Sequence, residues 1–196
     1  MMKSKSFTRR GLLAALVILA GTGPAFGASA STASSEDTFT RSEVLHEAET
    51  LFGKGAKGMA EIIEKAFKEH GQPNAIIKGE EAGGAIGVGV RYGKGTLVTK
   101  GGATRPVYWQ GPSVGFDVGG NAAKCFTLVY NLHDKEKLFQ RFPGVEGSLY
   151  FVGGFSLNYN RSGDIVLAPV RLGVGWRQGA SIGYLHFTPT KELLPI

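Results

Sequence analysis

A serine in a glycine-rich segment is the first residue of this chain that could carry out chemistry. Residues 111–115 read GPSVG and match the G-x-S-x-G pattern of serine hydrolases, with Ser113 as the nucleophile. Asp134 or Asp164, and then His186, follow in the order of an α/β-hydrolase triad. A nucleophile elbow requires a strand-to-helix turn, whereas the residues after this motif predict a strand or a turn. We therefore expect the match to be accidental and the protein to have no catalytic residues.

The sequence also lacks the residue patterns of known metal and phosphate sites. Glu80 and Glu81 are adjacent, so on a strand they would point to opposite faces and could not share a proton. The glycine-rich residues 83–89 lack the following helix and the Lys-Ser/Thr of a phosphate loop. Four histidines are scattered without the spacing of zinc ligands: His46, His70, His133 and His186. We expect neither a metal nor a cofactor.

Aromatic and cationic side chains form a second candidate site, this time for binding. Tyr108 and Trp109 stand beside a Gly-Pro turn, and Arg171 and Arg177 share a strand face with small residues. A guanidinium beside glycines leaves space for the anionic group of a ligand, or for a structural partner such as Asp117. The sequence leaves both interpretations open: a ligand site built from these five residues, or a strand-to-strand ion pair beside ordinary core aromatics.

The N-terminus predicts export from the bacterial cytoplasm. Arg9 and Arg10 precede the apolar residues 12–20, as in a secretory signal with a twin-arginine character. This run is shorter than the roughly 20 apolar residues that a membrane span needs. We expect a mature periplasmic protein that does not span the membrane, exported by either the twin-arginine or the general secretory route.

Cleavage of this signal changes the charge of the protein. The cut falls after Gly27, with Ala25 and Gly27 as the small residues, or after Ala30. The first cut removes four basic residues and no acid, so the formal net charge falls from +6 to +2. So small a charge gives no electrostatic reason to expect nucleic-acid binding. Residues 28–40 are rich in Ser, Thr and Ala and predict a flexible tether, which leaves one domain over residues 41–196.

The first part of this domain has apolar residues at helical spacing, and the rest has apolar residues that alternate with polar residues or glycines. Thr40 and Glu43 form a capping-box pattern, and two apolar stripes predict two helices or one kinked helix before Gly71 and Pro73. From about residue 76 the apolar residues alternate, which is typical of strands. A short helix is predicted over residues 135–142. The predicted strands lie near residues 75–81, 84–92, 95–100, 105–110, 113–118, 123–131, 147–160 and 164–177, with 181–188 a possible ninth.

The glycine content indicates how these strands are arranged. Of the 30 glycines, 22 lie from Gly79 onward, many inside predicted strands. Glycine weakens an open sheet but allows the tight corners of a small closed one. We therefore predict a mainly β fold, a small antiparallel eight-stranded β-barrel with an N-terminal helical segment. An outer-membrane barrel is the alternative, but Pro106, Pro112 and Pro169 interrupt its strands.

Several blocks of the sequence resemble the envelope integrity protein A family, a periplasmic family of Gram-negative bacteria. The blocks are residues 41–52, 71–81 (GQPNAIIKGEE), 107–117 (VYWQGPSVGFD), 119–122, 126–131, 141–148 (RFPGVEGS) and 166–175. The resemblance implies an eight-stranded β-barrel, a periplasmic location and a role in resistance to envelope stress. It brings no catalytic residues.

A shorter resemblance, over residues 111–120, is to the SYLF lipid-binding domain. Together these observations favour a non-enzymatic periplasmic protein that supports envelope integrity by binding an envelope component, whether lipid, glycan or protein. The alternatives are a lipid-binding module of the SYLF type and a hydrolase that depends on Ser113.

Overall fold

The computed structural model describes residues 37–117, 122–172 and 183–192, and within residues 84–89 and 113–117 it describes the backbone alone. Two helices come first, α1 (Arg41–Phe52) and α2 (Met59–His70). Nine strands follow in these described ranges. They are β1 (Ala75–Thr99), β2 (Thr104–Asp117), β3 (Ala123–Tyr130), β4 (Arg141–Pro143), β5 (Tyr150–Val152), β6 (Phe155–Leu157), β7 (Asn160–Ser162), β8 (Ile165–Leu172) and β9 (Tyr184–Thr188).

The predicted capping box begins α1. The Thr40 hydroxyl accepts a hydrogen bond from the Glu43 amide, and the Glu43 carboxylate accepts one from the Thr40 amide at 2.8 Å. The sequence predicts either two helices or one kinked helix, and the structure has two. Gly53 and Gly58 adopt positive φ angles of 101° and 87°, which interrupt the helical path. Within the described residues, neither helix combines the length and the apolar character of a membrane-crossing segment.

All paired strands are antiparallel and form one curled sheet. The order is β4-β9-β2-β1-β3-β8-β6-β5, with β7 also paired to β8. An isolated bridge joins Gly144, just after β4, to Asn160 at the start of β7, so β4 at one end of this order meets the strand that is paired to β8. The predicted fold class, a mainly β antiparallel barrel with N-terminal helices, is confirmed.

The boundaries of the elements differ from the prediction in three ways, and the described residues form nine strands where eight were predicted. The segment predicted as one strand over residues 147–160 is a hairpin of β5 and β6 followed by the start of β7, because Gly153 and Gly154 adopt positive φ angles and turn the chain. Predicted segments that glycines separate in the sequence are continuous strands: three of them make β1 and two make β2, because these glycines bend the strands without ending them. The helix predicted over residues 135–142 is a 3-10 helix over Lys135–Leu138, capped by Asp134, and β4 follows it. The chain leaves the helical path because Phe142 is fully buried in the core as part of β4.

Alternation along the strands produces two apolar clusters, one on each face of the sheet. On β3, Phe126 and Leu128 pack beneath the helices with α-helical residues such as Ile62. The neighbouring Cys125 and Val129 face the inside of the curl, in a second cluster that also contains residues of β4, β8 and β9. We call the face that lines this second cluster the inner face.

Close backbone approach on the inner face requires glycine at two places in β1. A Cβ built on Gly79 would lie 2.2 Å from the Lys94 carbonyl oxygen and 2.8 Å from Gly95 Cα, so the two halves of β1 touch there. A Cβ built on Gly93 would lie 2.0 Å from Trp109 Cε2, because the indole ring rests on the backbone of that residue. The strand glycines therefore make room for a bent strand and for Trp109.

We expect Gly93→Ala to destabilise the protein by about 1–3 kcal/mol, since the added methyl group must displace a buried ring. Gly101→Ala is the matched control, because a Cβ there meets nothing within 4 Å. Its free energy of unfolding should stay within about 1 kcal/mol of the wild type. Urea denaturation measures both, and equal stabilities of the two variants would show that Trp109 does not depend on Gly93.

Candidate functional site

Tyr108 and Trp109 line a cleft of about 310 Å³ between β1, β2 and the segment after β9. The ladder of β1 and β2 places Lys94 opposite Tyr108 and Tyr92 opposite Gln110, so all four side chains project from neighbouring positions. We call this cavity the aromatic cleft. Its remaining lining residues are Glu80, Ala82, Gly93, Ala122, Thr188, Lys191 and Glu192.

Gln110 brings a buried amide to this cleft. The residue is only 6% exposed, and its Oε1 has no hydrogen-bond partner anywhere in the part of the chain that the structure describes. A buried carbonyl oxygen without a donor costs free energy, so a water molecule or a ligand hydroxyl beside it would be stabilising. The aromatic cleft therefore combines aromatic walls with an amide that lacks one hydrogen bond.

Trp109 is fixed in place by the core behind the cleft. Its side chain is 3% exposed, and its ring centroid lies 5.6 Å from that of Phe187 on β9. The indole Nε1–H donates a hydrogen bond of 2.7 Å to the Oε1 atom of Glu81. Trp109 is consequently a rigid floor for the cleft, with its position set by a carboxylate on the inner face.

Glu81 is the centre of a buried polar network. Its Oε2 accepts from Arg171 Nε at 2.6 Å, its Oε1 accepts from Arg171 Nη2 at 3.0 Å, and Arg91 Nη1 lies 3.6 Å from Oε2. Burial on its own would raise the pKa of Glu81, but the two arginines outweigh it and hold the pKa at about 2. Glu81 is thus a carboxylate at neutral pH, in a place where an unpaired charge would be very costly.

The network continues from Arg171 across the inside of the sheet. Arg171 Nη1 donates to Asn158 Oδ1 at 2.7 Å, and Asn158 Nδ2 donates to Asn160 Oδ1 at 2.9 Å. Asn160 Nδ2 then donates to the Phe142 carbonyl at 3.1 Å. A chain of side chains therefore connects Trp109 on β2 with the backbone of β4, through residues of β1, β8 and β7.

The five residues predicted as a ligand site do not all meet. Tyr108 and Trp109 line the aromatic cleft, whereas Arg171 is buried on the inner face and does not line it. Asp117 was the structural partner suggested for Arg171. In the structure Arg171 instead pairs with Glu81, which the curl of β1 brings beside β8. Asp117 pairs with Ala85 in the ladder, and its side chain lies outside the description. Also outside the described residues are Arg177, the export residues Arg9 and Arg10, and the cleavage residues Ala25 and Gly27.

Sequence reasoning missed Glu81 as the partner and Tyr92, Lys94 and Gln110 as cleft residues. The prediction that Glu80 and Glu81 point to opposite faces is confirmed. Glu81 is buried, whereas the Glu80 side chain is nearly half exposed and its Oε1 lies 2.9 Å from Lys94 Nζ. A carboxylate on the same face as Ile77 was the available signal for a buried partner, because such a charge must be paired.

The residues considered for nucleophilic chemistry lie in ordinary positions. Ser113 pairs with Gly89 in the middle of the β1–β2 ladder, where no strand-to-helix turn could form a nucleophile elbow. Cys125 is buried, and burial raises the pKa of its thiol to about 12, far from the range of a reactive thiolate. Over residues 37–117, 122–172 and 183–192, no three side chains gather as metal ligands do. The expectation of no metal stays a prediction.

We expect Glu81→Gln to lower the free energy of unfolding by about 3–5 kcal/mol, because Arg171 then remains buried without its counter-charge. Glu80→Gln is the matched control, one residue away in the same strand. It removes only an exposed ion pair with Lys94, so it should cost no more than about 1 kcal/mol. Urea denaturation at neutral pH separates the two, and similar losses for both variants would refute the central role of Glu81.

The depressed pKa of Glu81 predicts how stability depends on pH. A carboxyl whose pKa is about 2 when folded, against an ordinary value of 4.5, contributes stability that is complete above about pH 5 and is lost as the pH falls toward 2. The urea concentration at the midpoint of unfolding should therefore decrease as the pH is lowered from about 5 to about 2. The ¹³C resonance of the Glu81 carboxyl should keep its ionised position to about pH 3. A midpoint at or above 4.5 for that resonance would contradict the arrangement.

Comparison with known proteins agrees with the fold of this chain. The family model described as envelope integrity protein A matches residues 37–196. The crystal structure of a β-barrel-like, uncharacterized protein from Brucella abortus superposes with a TM-score of 0.75 at 43% sequence identity, covering 82% of this chain and 99% of the other. No curated protein sequence matches the chain significantly. In this chain the aromatic cleft lies on an antiparallel barrel-like sheet. The chain belongs to the envelope integrity protein A family.

Proposed function

We propose that this chain is a non-enzymatic periplasmic protein that supports envelope integrity and stress resistance by binding an envelope component in the aromatic cleft. The observation that carries the proposal is the convergence on one cavity of Tyr92, Tyr108, Trp109 and Gln110, whose Oε1 has no hydrogen-bond partner among the described residues. Ligand sites in proteins commonly combine aromatic walls with a few fixed polar groups. The family name supports the envelope part of this proposal.

The rigidity of the cleft favours binding over chemistry. Tyr108 and Gln110 sit in a ladder that pairs β2 with β1 on one side and with β9 on the other. Trp109 is held by Glu81 and by packing on Gly93. Such a preorganised surface loses little conformational entropy when a ligand binds. No nucleophile with an activating base stands among the described lining residues, so recognition is the role that these side chains support.

Two alternatives make different demands on the protein. A lipid-binding module of the SYLF type would depend on residues 111–120, and the structure describes only part of that segment. A hydrolase would require Ser113, which lies in the strand ladder opposite Gly89. Both can be separated from the cleft proposal by substitution, because Tyr108 lies outside both segments.

We expect Tyr108→Ala to abolish rescue of a deletion strain grown under detergent or cell-wall antibiotic stress. The cleft loses one aromatic wall in this variant, while the backbone pairing of β2 with β1 and β9 remains. Tyr150→Ala is the matched control, since Tyr150 is also a half-buried strand tyrosine but lies on β5, away from the cleft. It should rescue growth, as should Ser113→Ala.

Immunoblots of envelope fractions ensure that all variants are present at comparable levels. Full rescue by Tyr108→Ala would show that the cleft has no role in the function. If the Ser113→Ala protein is stable but does not rescue growth, the hydrolase alternative would be favoured instead.

A further inference from the structure

A second depression lies beside the aromatic cleft and continues it. It has a volume of about 430 Å³, is more open than the cleft, and shares Glu80, Lys94 and Tyr108 with it. Lys78 and Lys124 line its far side. We call it the lysine depression. The two cavities together form one groove, and the Glu80–Lys94 ion pair lies where they meet.

The cations of the lysine depression differ in their partners. Lys78 Nζ is 2.7 Å from a Glu47 carboxylate oxygen, and Lys94 Nζ is 2.9 Å from Glu80. Lys124 is exposed, and its Nζ donates at 2.6 Å to the Leu51 carbonyl near the end of α1. Glu80 lies opposite Lys124 in the β1–β3 ladder, but its carboxylate forms its ion pair with Lys94. Among the described residues, no carboxylate lies within ion-pair distance of Lys124. An ammonium has three donors, so Lys124 retains both charge and hydrogen-bonding capacity for an anion.

We propose that the groove binds a carbohydrate that carries an acidic group, with a sugar ring against the partly exposed Tyr92 and Tyr108 and the acidic group beside Lys124. This inference rests on the proposed function and names the chemical class of its ligand. A sugar ring offers C–H faces that pack on aromatic rings and hydroxyl groups that can donate to Gln110 Oε1. A carboxylate or phosphate on the same molecule would pair with the Lys124 ammonium.

The mixture of apolar surface and hydrogen-bonding groups in the lining favours a carbohydrate over an acyl chain. Glu80, Lys94, Gln110 and Thr188 line the aromatic cleft, and no Leu, Ile, Val or Met is among its described lining residues. An acyl chain there would remove charged and polar groups from water without replacing their hydrogen bonds, which is costly. Hydroxyl groups can replace those hydrogen bonds, so a sugar avoids the cost.

The test compares two disaccharides of the same size by NMR titration of the purified protein. N-acetylglucosaminyl-N-acetylmuramic acid carries one carboxylate, whereas N,N′-diacetylchitobiose is neutral. We expect the acidic disaccharide to bind about fivefold more tightly than the neutral one. Lys124→Gln should abolish this difference, and Tyr108→Ala should weaken both ligands. Lys137→Gln removes the same charge on an exposed residue outside the groove and should preserve the difference.

Equal affinities for the two disaccharides, or a preference that survives Lys124→Gln, would overturn the assignment of an acidic sugar. Binding to phosphatidylglycerol vesicles that neither disaccharide competes away would overturn it in favour of a lipid. Each of these results leaves the proposed function standing as long as Tyr108→Ala fails to rescue growth. The proposed function itself falls only if that variant rescues fully.

Discussion

The buried carboxylate of Glu81 is the interaction on which the arrangement of this protein depends. Two arginines and an indole N–H surround it, and through Arg171 the network reaches Asn158, Asn160 and the backbone of β4. Strands that are far apart in the sheet order are joined by this one chain of side chains. A buried charge fixes geometry because any displacement leaves it unpaired in a medium of low dielectric constant. The curl of the sheet and the position of Trp109 are therefore coupled.

That coupling links the inner face of the sheet to the aromatic cleft. Trp109 contacts Glu81 on one side and lines the aromatic cleft on the other, and the glycines of β1 allow the ring to lie against the backbone. Tyr108 and Gln110, its neighbours in β2, face the cleft directly. The groups that hold the fold together and the groups available to a ligand thus alternate along one strand. A rigid strand with this alternation gives the cleft a fixed shape without a mobile loop.

Local patterns in the sequence predicted much of the fold, because capping and alternation are local properties. Thr40 and Glu43 marked the start of α1, and the change to alternating apolar residues near residue 76 marked the start of β1 at Ala75. Long-range pairing was not accessible in this way. The sequence predicted a binding site at Tyr108 and Trp109. The position of Glu81 on the face of Ile77 signals a charge that needs a buried partner, but a local pattern cannot show that this partner is Arg171, 90 residues away. Lys78 and Lys124 could not be assigned to one groove either, since only the pairing of β1 with β3 brings them to the same surface.

The most direct test of this account is a map of where an envelope component binds. Backbone and indole N–H resonances of the protein can be followed by NMR while solubilised peptidoglycan fragments or detergent-dispersed envelope lipids are added. The account predicts that the largest shifts fall on Tyr108, Trp109 and Gln110, including the Trp109 Nε1–H that donates to Glu81. Shifts centred on the exposed apolar residues Leu149 and Phe151, with the cleft resonances unchanged, would contradict it.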